Sequence, residues 1–210
     1  MHHITPQNIQ LFNDNLRYET PEEIIAFGLE VSSKPLVTTS FGAYSAAILY
    51  ACTQVQPRLQ IIWCDTGYNT PATYTHAQEL SEKLQLNLEI FTPTSTTAFL
   101  DSTLGRPGVN DPAHQEFSEK VKLEPFKRAF QKHQPDLWFT NLRKTQNEYR
   151  RVGDILSFSA NGILKVSPFF YYNDAQIMQY LSEHNLPYQF NYFDPVKVME
   201  NRECGIHLKY

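Results

Sequence analysis

The chain has 210 residues, 41% of them hydrophobic, and its 18 Lys and Arg against 22 Asp and Glu give a net charge of −4. This size and composition predict one folded domain with a sizeable core and exclude wholesale disorder. No apolar run reaches the roughly 18 residues of a membrane span, and the first residues lack a signal-peptide pattern, so we expect a cytoplasmic protein without membrane contact. Three cysteines without a Cys-x-x-Cys pair argue against zinc, an iron–sulfur cluster or another metal.

The first half of the chain alternates between helix and strand signals. A helix start is predicted at Thr20, whose hydroxyl can cap the first turn. Pro21 stands at the first helical position, and Glu23 at the third can accept a hydrogen bond in return. Apolar runs and helical spacing then predict strands at residues 36–40, 61–64 and 88–91, and helices at residues 43–54 and 70–84. Because strands that alternate with helices pair in parallel, we expect an α/β fold with a parallel sheet and helices on both faces.

The second half continues this pattern with more interruptions. Residues 94–113 are rich in Gly and Pro and predict a loop. The next predicted elements are a helix at 115–131, strands at 137–140 and 163–166, and a helix that begins at Asn173 or Asp174. The chain then becomes irregular and ends in a polar tail. We therefore divide it into a domain of residues 1–196 and a tail of residues 197–210.

A run of small and polar residues, Ser40-Phe41-Gly42-Ala43-Tyr44-Ser45, follows the first predicted strand. At a turn from strand to helix, unpaired N–H groups and the helix dipole favour an anion. Gly42 would let a ligand approach the backbone, and Ser40 and Ser45 can donate hydrogen bonds to phosphate oxygens. A Walker loop is excluded because Gly-Lys-Ser/Thr is missing. An ordinary turn capped by Ser40 is the alternative.

A second motif, Asp65-Thr66-Gly67, ends the neighbouring predicted strand. Parallel strands end at the same edge of the sheet, which is where open α/β folds bind their ligands. The motif therefore belongs to the same candidate site as the run at 40–45. The alternative for Asp65 is a plain turn cap.

A basic stretch surrounds the fourth predicted strand, and residues 142–151 follow that strand directly. Residues 120–151 contain nine of the 18 Lys and Arg and only three acidic residues. Within it, Arg143 and Arg150 offer forked donors that match phosphate or sulfate, and Lys144 adds a mobile point charge. This pattern predicts a ligand with several anionic groups, and a solvated basic surface is the alternative. Nucleic acid is disfavoured, since the whole chain is acidic and carries no recognisable nucleic-acid motif.

The three cysteines differ in their surroundings. Cys204 lies in the polar tail beside Gly205, with Arg202 and His207 close by, a pattern typical of an exposed and stabilised thiolate. Cys52 and Cys64 lie in an apolar helix and strand and are interpreted as small core residues. A tail thiol without a function is the alternative for Cys204.

Taken in chain order, these motifs resemble those of the phosphoadenylyl-sulfate (PAPS) reductase family, a branch of the adenine nucleotide alpha-hydrolase-like fold. The resemblance runs from about residue 36 to residue 207, and the Glu-Cys-Gly-Ile-His sequence at its end is the most specific part. The motifs that carry it are Ser40 to Ser45, Asp65-Thr66-Gly67-Tyr68 with Pro71, Glu124-Pro125, Leu142-Arg143-Lys144 with Gln146 and Arg150, Lys165-Val166 with Pro168, and Glu203 to His207.

The resemblance implies a nucleotide-binding fold with a C-terminal catalytic tail. It also implies thioredoxin-dependent reduction of PAPS to sulfite and adenosine 3',5'-bisphosphate, with Cys204 as the nucleophile and an S-sulfocysteine intermediate. Thioredoxin or glutaredoxin would supply the electrons. Relatives that reduce adenylyl sulfate carry paired cysteines for an iron–sulfur cluster, and this chain has none of them. The implied substrate-binding residues are Ser40, Phe41, Gly42, Ser45, Asp65, Thr66, Gly67, Arg143, Lys144, Arg150, Lys165, Arg202 and His207.

Departures from the family pattern keep other functions open. The segment between Glu183 and the tail is shorter than in relatives, and their Arg-Arg pair is Arg143-Lys144 here, which removes a forked donor. Relatives that adenylate with ATP show Ser-Gly-Gly-x-Asp-Ser, whereas Phe41 and Tyr44 stand at the differing positions here, which argues against an ATP pyrophosphatase. A sulfur-transfer enzyme of the same fold and a non-catalytic nucleotide-binding protein are the alternatives. We expect no nucleic-acid partner, and the sequence leaves a homodimer open.

Overall fold

The computed structural model describes residues 3–108, 110–146 and 148–196. Six strands form one sheet: β1 (Pro35–Thr39), β2 (Gln60–Cys64), β3 (Leu88–Phe91), β4 (Leu137–Phe139), β5 (Leu156–Phe158) and β6 (Leu164–Val166). The α-helices are α1 (Ile9–Leu16), α2 (Pro21–Glu30), α3 (Ser45–Val55), α4 (Pro71–Leu84), α5 (Thr97–Thr103), α6 (His114–Ser118), α7 (Glu124–His133) and α8 (Asp174–Glu183). A π-helical segment, Glu119–Leu123, joins α6 to α7, and a 3₁₀-helix spans Glu148–Val152.

The strand order across the sheet is β3-β2-β1-β4-β6-β5. All neighbours pair in parallel except β5, which runs antiparallel to β6 at one edge. The α/β fold class is confirmed, and the sheet is mixed rather than wholly parallel. The strand order reverses between β1 and β4, and such a reversal opens a crevice outside the carboxyl ends of the strands.

Two apolar cores lie on opposite faces of the sheet because side chains alternate along each strand. Val37 of β1 belongs to a core that also contains buried residues of α2, α3, α4 and α8. Its neighbour Leu36 belongs to a second core, which contains residues of α5, α6, the π-helical segment and α7. The predicted helices on both faces are confirmed. Within the described part of the chain, no helix is both long enough and apolar enough to cross a membrane.

Helix starts agree with the sequence where a capping residue marks them. The Thr20 hydroxyl accepts a hydrogen bond from the Glu23 amide, and the Glu23 carboxylate accepts one from the Thr20 amide, which forms the predicted capping box. Asn173 and Gln176 form the same arrangement at α8.

Two predictions about secondary structure were wrong, and two elements were not predicted. The predicted loop at 94–113 contains α5, whose cap is Thr96, a threonine that accepts a hydrogen bond from the Phe99 amide. The helix expected at 115–131 is divided by the π-helical segment. Strand β5 was not predicted, since it is only three residues long and its pairing with β6 is a tertiary contact. Helix α1 was not predicted either.

Asp136, just before β4, connects the amino-terminal ends of β1 and β4. Its carboxylate accepts hydrogen bonds from the Ser33 amide at 2.8 Å, the Ser33 hydroxyl at 2.6 Å and the Lys34 amide at 2.9 Å, and also from the Ser32 hydroxyl. Burial alone would raise its pKa, but these donors outweigh burial and lower the pKa to about 2.

We expect Asp136→Ala to reduce the free energy of unfolding by roughly 1–2 kcal/mol at neutral pH, because several donors lose a charged acceptor that is partly screened by solvent. The lowered pKa means that the carboxylate stabilises the fold fully above the unfolded value near 4 and progressively less as the pH falls towards 2. Denaturant titrations across this range should show the dependence for the wild type and a weaker one for the variant. Asp14→Ala, at an exposed carboxylate, is the control. Parallel pH profiles for the wild type and Asp136→Ala would contradict the assignment.

Candidate active site

A cavity of about 270 Å³ lies at the carboxyl ends of β1, β2 and β4. It therefore occupies the crevice at which the strand order reverses. Trp138 of β4 lines it and donates a hydrogen bond from Nε1 to Thr38 Oγ1 of β1 at 2.9 Å. Its polar lining residues include Thr38, Thr39, Ser40, Ser45, Thr66, Asn69, Lys122, Thr140, Asn141, Gln146, Arg150 and Asp194.

The loop at residues 40–45 forms one wall of this cavity. Ser40, Gly42 and Ser45 line it. Phe41 has a φ of 50°, a left-handed conformation that is unfavourable for a phenylalanine, and its fully buried ring packs edge-on against Trp63 at 4.9 Å. The ring thus anchors the loop while its neighbours face the cavity.

Helix α3 begins directly behind this loop. Tyr44 is its capping residue and makes no side-chain hydrogen bond to the first turn. Ser45 instead donates from its hydroxyl to the Gly42 carbonyl at 2.7 Å and from its amide to the same oxygen at 2.9 Å. The positive end of the helix dipole is therefore directed at the wall of the cavity, an arrangement suited to an anion.

Asp65 organises the second loop rather than lining the cavity. Its Oδ1 accepts from the Gly67 amide at 2.9 Å, from Asn69 Nδ2 at 2.7 Å and from the Tyr74 hydroxyl at 3.0 Å. Burial, together with the charge of Asp65, raises the pKa of Tyr74 to about 12, so this hydroxyl remains a donor at neutral pH. The fixed loop places Thr66 in the cavity wall.

The predicted basic residues divide into two groups. Arg150 lines the cavity and donates to Gln146 Oε1, an atom that also accepts from the Arg143 amide at 3.0 Å. Arg143 as a whole residue is 2% exposed. Its guanidinium pairs with the carboxylate of Asp174 in α8 at 2.6 Å, and Arg143 does not belong to the described cavity lining. Arg143 therefore connects the loop to α8 in this structure.

The remaining predicted residues lie elsewhere or outside the described chain. Lys144 is exposed, with Nζ 5.4 Å from the centre of the Tyr171 ring. Lys165 is buried in β6, opposite Trp138 in β4, and is not part of the described lining. Arg202, Cys204 and His207 lie outside the residues that the structure describes.

Sequence reasoning missed Lys122 and Asp194, which form a buried ion pair in the cavity wall. The two side chains are 8% and 4% exposed. Lys122 lies in the π-helical segment, where Val121, Lys122 and Leu123 are all buried. Pro125 follows, and because proline has no N–H it cannot close the usual helical hydrogen bond to Val121. The sequence signal was a lysine next to apolar residues just before Glu124-Pro125.

The described cysteines are not activated. Burial raises the pKa of the Cys52 thiol far above its usual range. Cys64 lines the cavity, and burial raises its pKa to about 12 although Lys122 and Arg128 act in the opposite direction. Both remain thiols at neutral pH and are poor nucleophiles.

Together, the strand reversal, the strand-to-helix loop and the cations Lys122 and Arg150 define an α/β protein with a cavity whose chemistry suits an anion. Residues 34–194 match the family model described as the phosphoadenosine phosphosulfate reductase domain. The chain belongs to this family.

Curated relatives and a solved structure agree with this assignment. The chain is 32% identical over 188 residues to a phosphoadenosine 5'-phosphosulfate reductase of Xylella fastidiosa strain 9a5c, across 86% of this chain and 77% of that protein. It is 32% identical over 184 residues to the protein of the same name from Yersinia enterocolitica, across 86% and 74%. A PAPS reductase from Candida auris, solved as a phosphate complex, has the same fold, with a TM-score of 0.78 at 22% identity, covering 89% of this chain and 90% of that chain.

The second loop depends on a glycine at position 67. Gly67 has a φ of 78°, and a Cβ there would lie 2.7 Å from Thr97 Cγ2. Gly162 has a similar φ of 77°, but a Cβ there would have no atom within 4 Å apart from its own residue and its chain neighbours. We expect Gly162→Ala to cost about 1–2 kcal/mol from backbone strain alone and Gly67→Ala to cost clearly more. Chemical denaturation of both variants measures the difference, and equal losses would contradict the steric argument.

Proposed function

We propose that the protein reduces PAPS to sulfite and adenosine 3',5'-bisphosphate, as a step in the assimilation of sulfate. The observation that carries the proposal is the cavity at the strand reversal, with Ser40, Ser45, Lys122 and Arg150 in its lining, in a chain of this family. A phosphosulfate group needs donors and positive charge at close range, and this wall supplies both.

The reaction we propose uses the Cys204 thiolate as the nucleophile. Its sulfur attacks the sulfur of the phosphosulfate, the bond from that sulfur to the bridging oxygen breaks, and adenosine 3',5'-bisphosphate leaves with the electron pair. The cysteine then carries a sulfonate group as S-sulfocysteine. Two observations support this role for Cys204: the Glu203-Cys204-Gly205-Ile206-His207 sequence and the high pKa values of the other two cysteines.

A dithiol protein completes the cycle in this proposal. One of its thiolates attacks the Cys204 sulfur, sulfite leaves, and a mixed disulfide forms. The second thiol of the carrier resolves that disulfide, so the carrier is oxidised by two electrons and Cys204 returns to a thiol. Reduced thioredoxin or glutaredoxin fits this role in the cytoplasm, and no iron–sulfur cluster takes part, since the chain has only three cysteines and no paired motif.

Substrate contacts in the proposal follow the geometry of the cavity. Ser40, Gly42, Ser45 and Thr66 would hold phosphate and sulfate oxygens, while Lys122 and Arg150 would balance their charge. Without such cations, a polyanion repels an approaching thiolate. Phe41 would stabilise the loop at 40–45, and Asp65 and Gly67 would stabilise the loop after β2, without contacting the substrate directly. Arg143, Lys144, Lys165, Arg202 and His207 stay predicted contacts of the bound substrate.

The first functional prediction concerns the nucleophile. Purified wild-type protein with PAPS and reduced thioredoxin should release sulfite, and Cys204→Ser should release none. Without thioredoxin, the wild type should gain the mass of one sulfonate group on the peptide that contains Cys204. Cys52→Ala, at a buried thiol far from the tail in sequence, is the matched control and should keep its activity. Sulfite from Cys204→Ser, or nucleotide binding without turnover in the wild type, would contradict the mechanism.

The second functional prediction separates two neighbouring arginines. Arg150 lines the cavity and Arg151 is exposed, so Arg150→Gln removes a charged donor from the site while Arg151→Gln changes only the surface. We expect kcat/KM for PAPS to fall about 10- to 100-fold for Arg150→Gln, the usual effect of losing a hydrogen bond to a charged group. Arg151→Gln should change it less than about twofold. Equal effects in steady-state assays would show that general charge, and not the site, is responsible.

A further inference from the structure

The Lys122–Asp194 ion pair occupies space that an anionic ligand needs. Both residues line the cavity, and both side chains are almost completely buried. The Asp194 carboxylate therefore already occupies one contact of the Lys122 ammonium, and a phosphate or sulfate group that bound Lys122 would compete with it. A buried cation needs a partner charge, and two anions cannot share one ammonium in a dry site without mutual repulsion.

Asp194 reaches the cavity on a short strap, which we define as residues 190–196. The Asn191 carbonyl accepts a hydrogen bond from Thr70 Oγ1 of the second loop at 2.7 Å. The Tyr192 ring lies 3.8 Å from the position that a Cβ on Gly42 would take. Phe190 packs edge-on against Tyr44 with ring centres 5.8 Å apart. The strap thus covers the anion-binding loop from one side and places Asp194 inside.

Only the last residues of the strap are anchored by burial. Asp194, Pro195 and Val196 are buried, whereas Phe190, Asn191 and Phe193 are exposed. The Val196 amide donates to Asp194 Oδ1 at 3.1 Å, so the carboxylate also fixes the turn that leads into the tail. A change in the partner of Asp194 would therefore alter the backbone just before residue 197.

We propose that Asp194 is a positioning residue that neutralises Lys122 until a substrate anion replaces it, and that this replacement releases the strap. The inference deepens the proposed function, on which it rests. Released from Lys122, residues 190–196 can rearrange, so occupation of the cavity and the conformation of the strap are coupled.

The test is the affinity for adenosine 3',5'-bisphosphate, measured by calorimetric titration. Asp194→Asn keeps the shape of the side chain and removes the competing charge, so we expect at least about tenfold tighter binding than in the wild type. Asp194→Glu keeps the charge and should bind with affinity near that of the wild type. Asp154→Asn removes a carboxylate from the Arg17 ion pair, outside the cavity lining, and should leave the affinity unchanged.

A measurement on the wild type covers the case in which Asp194→Asn fails to fold. Saturating nucleotide should speed hydrogen exchange at the amides of Tyr192, Phe193, Asp194 and Val196, because the strap is released. Slower or unchanged exchange, or an Asp194→Asn variant that binds no tighter, overturns the inference while leaving the proposed function intact. A wild type that neither binds the nucleotide nor makes sulfite overturns the proposed function itself.

Discussion

The reversal of strand order between β1 and β4 is the constraint on which the rest of the structure depends. Their connections leave the carboxyl ends of the two strands in opposite directions, which opens a crevice between them. Trp138 of β4 and Thr38 of β1 line this crevice, and the Trp138 side chain donates one hydrogen bond to Thr38 across the two strands. Ser40 and Thr66 line the cavity because β1 and β2 end beside it, whereas Lys122 and Asp194 reach it from the π-helical segment and from residues 190–196.

Burial does not by itself show how a cation is used in this protein. Arg143 and Lys122 are both buried and both paired with a carboxylate. The partner of Arg143 is Asp174, an exposed residue of the first turn of α8, and this pair connects a loop to a helix. The partner of Lys122 is itself buried and lines the cavity. The two pairs therefore differ in the place of the carboxylate, which is an exposed helix start for Arg143 and the cavity wall for Lys122.

Local patterns predicted most of the fold, whereas contacts between distant segments decided the part that was missed. Apolar runs identify five strands, and Thr20 marks a helix start, because each depends on neighbouring residues. The pairing of Lys122 with Asp194 spans 72 positions, and the pairing of Arg143 with Asp174 spans 31. No periodicity encodes such distances. The loop at 40–45 was predictable because its chemistry is contiguous in sequence, and most of the other site residues depend on how the elements pack.

The short segment after α8 does more than connect the domain to the tail. Residues 190–196 lie against the loop at 40–45 and place the Asp194 carboxylate in the cavity wall. Phe190, Asn191 and Phe193 are exposed, whereas Asp194 is buried beside Lys122. A carboxylate in this position responds to the charge of a ligand and not to its apolar parts. In the proposed function, the link between an occupied cavity and the strap would therefore depend on a single side chain, Asp194.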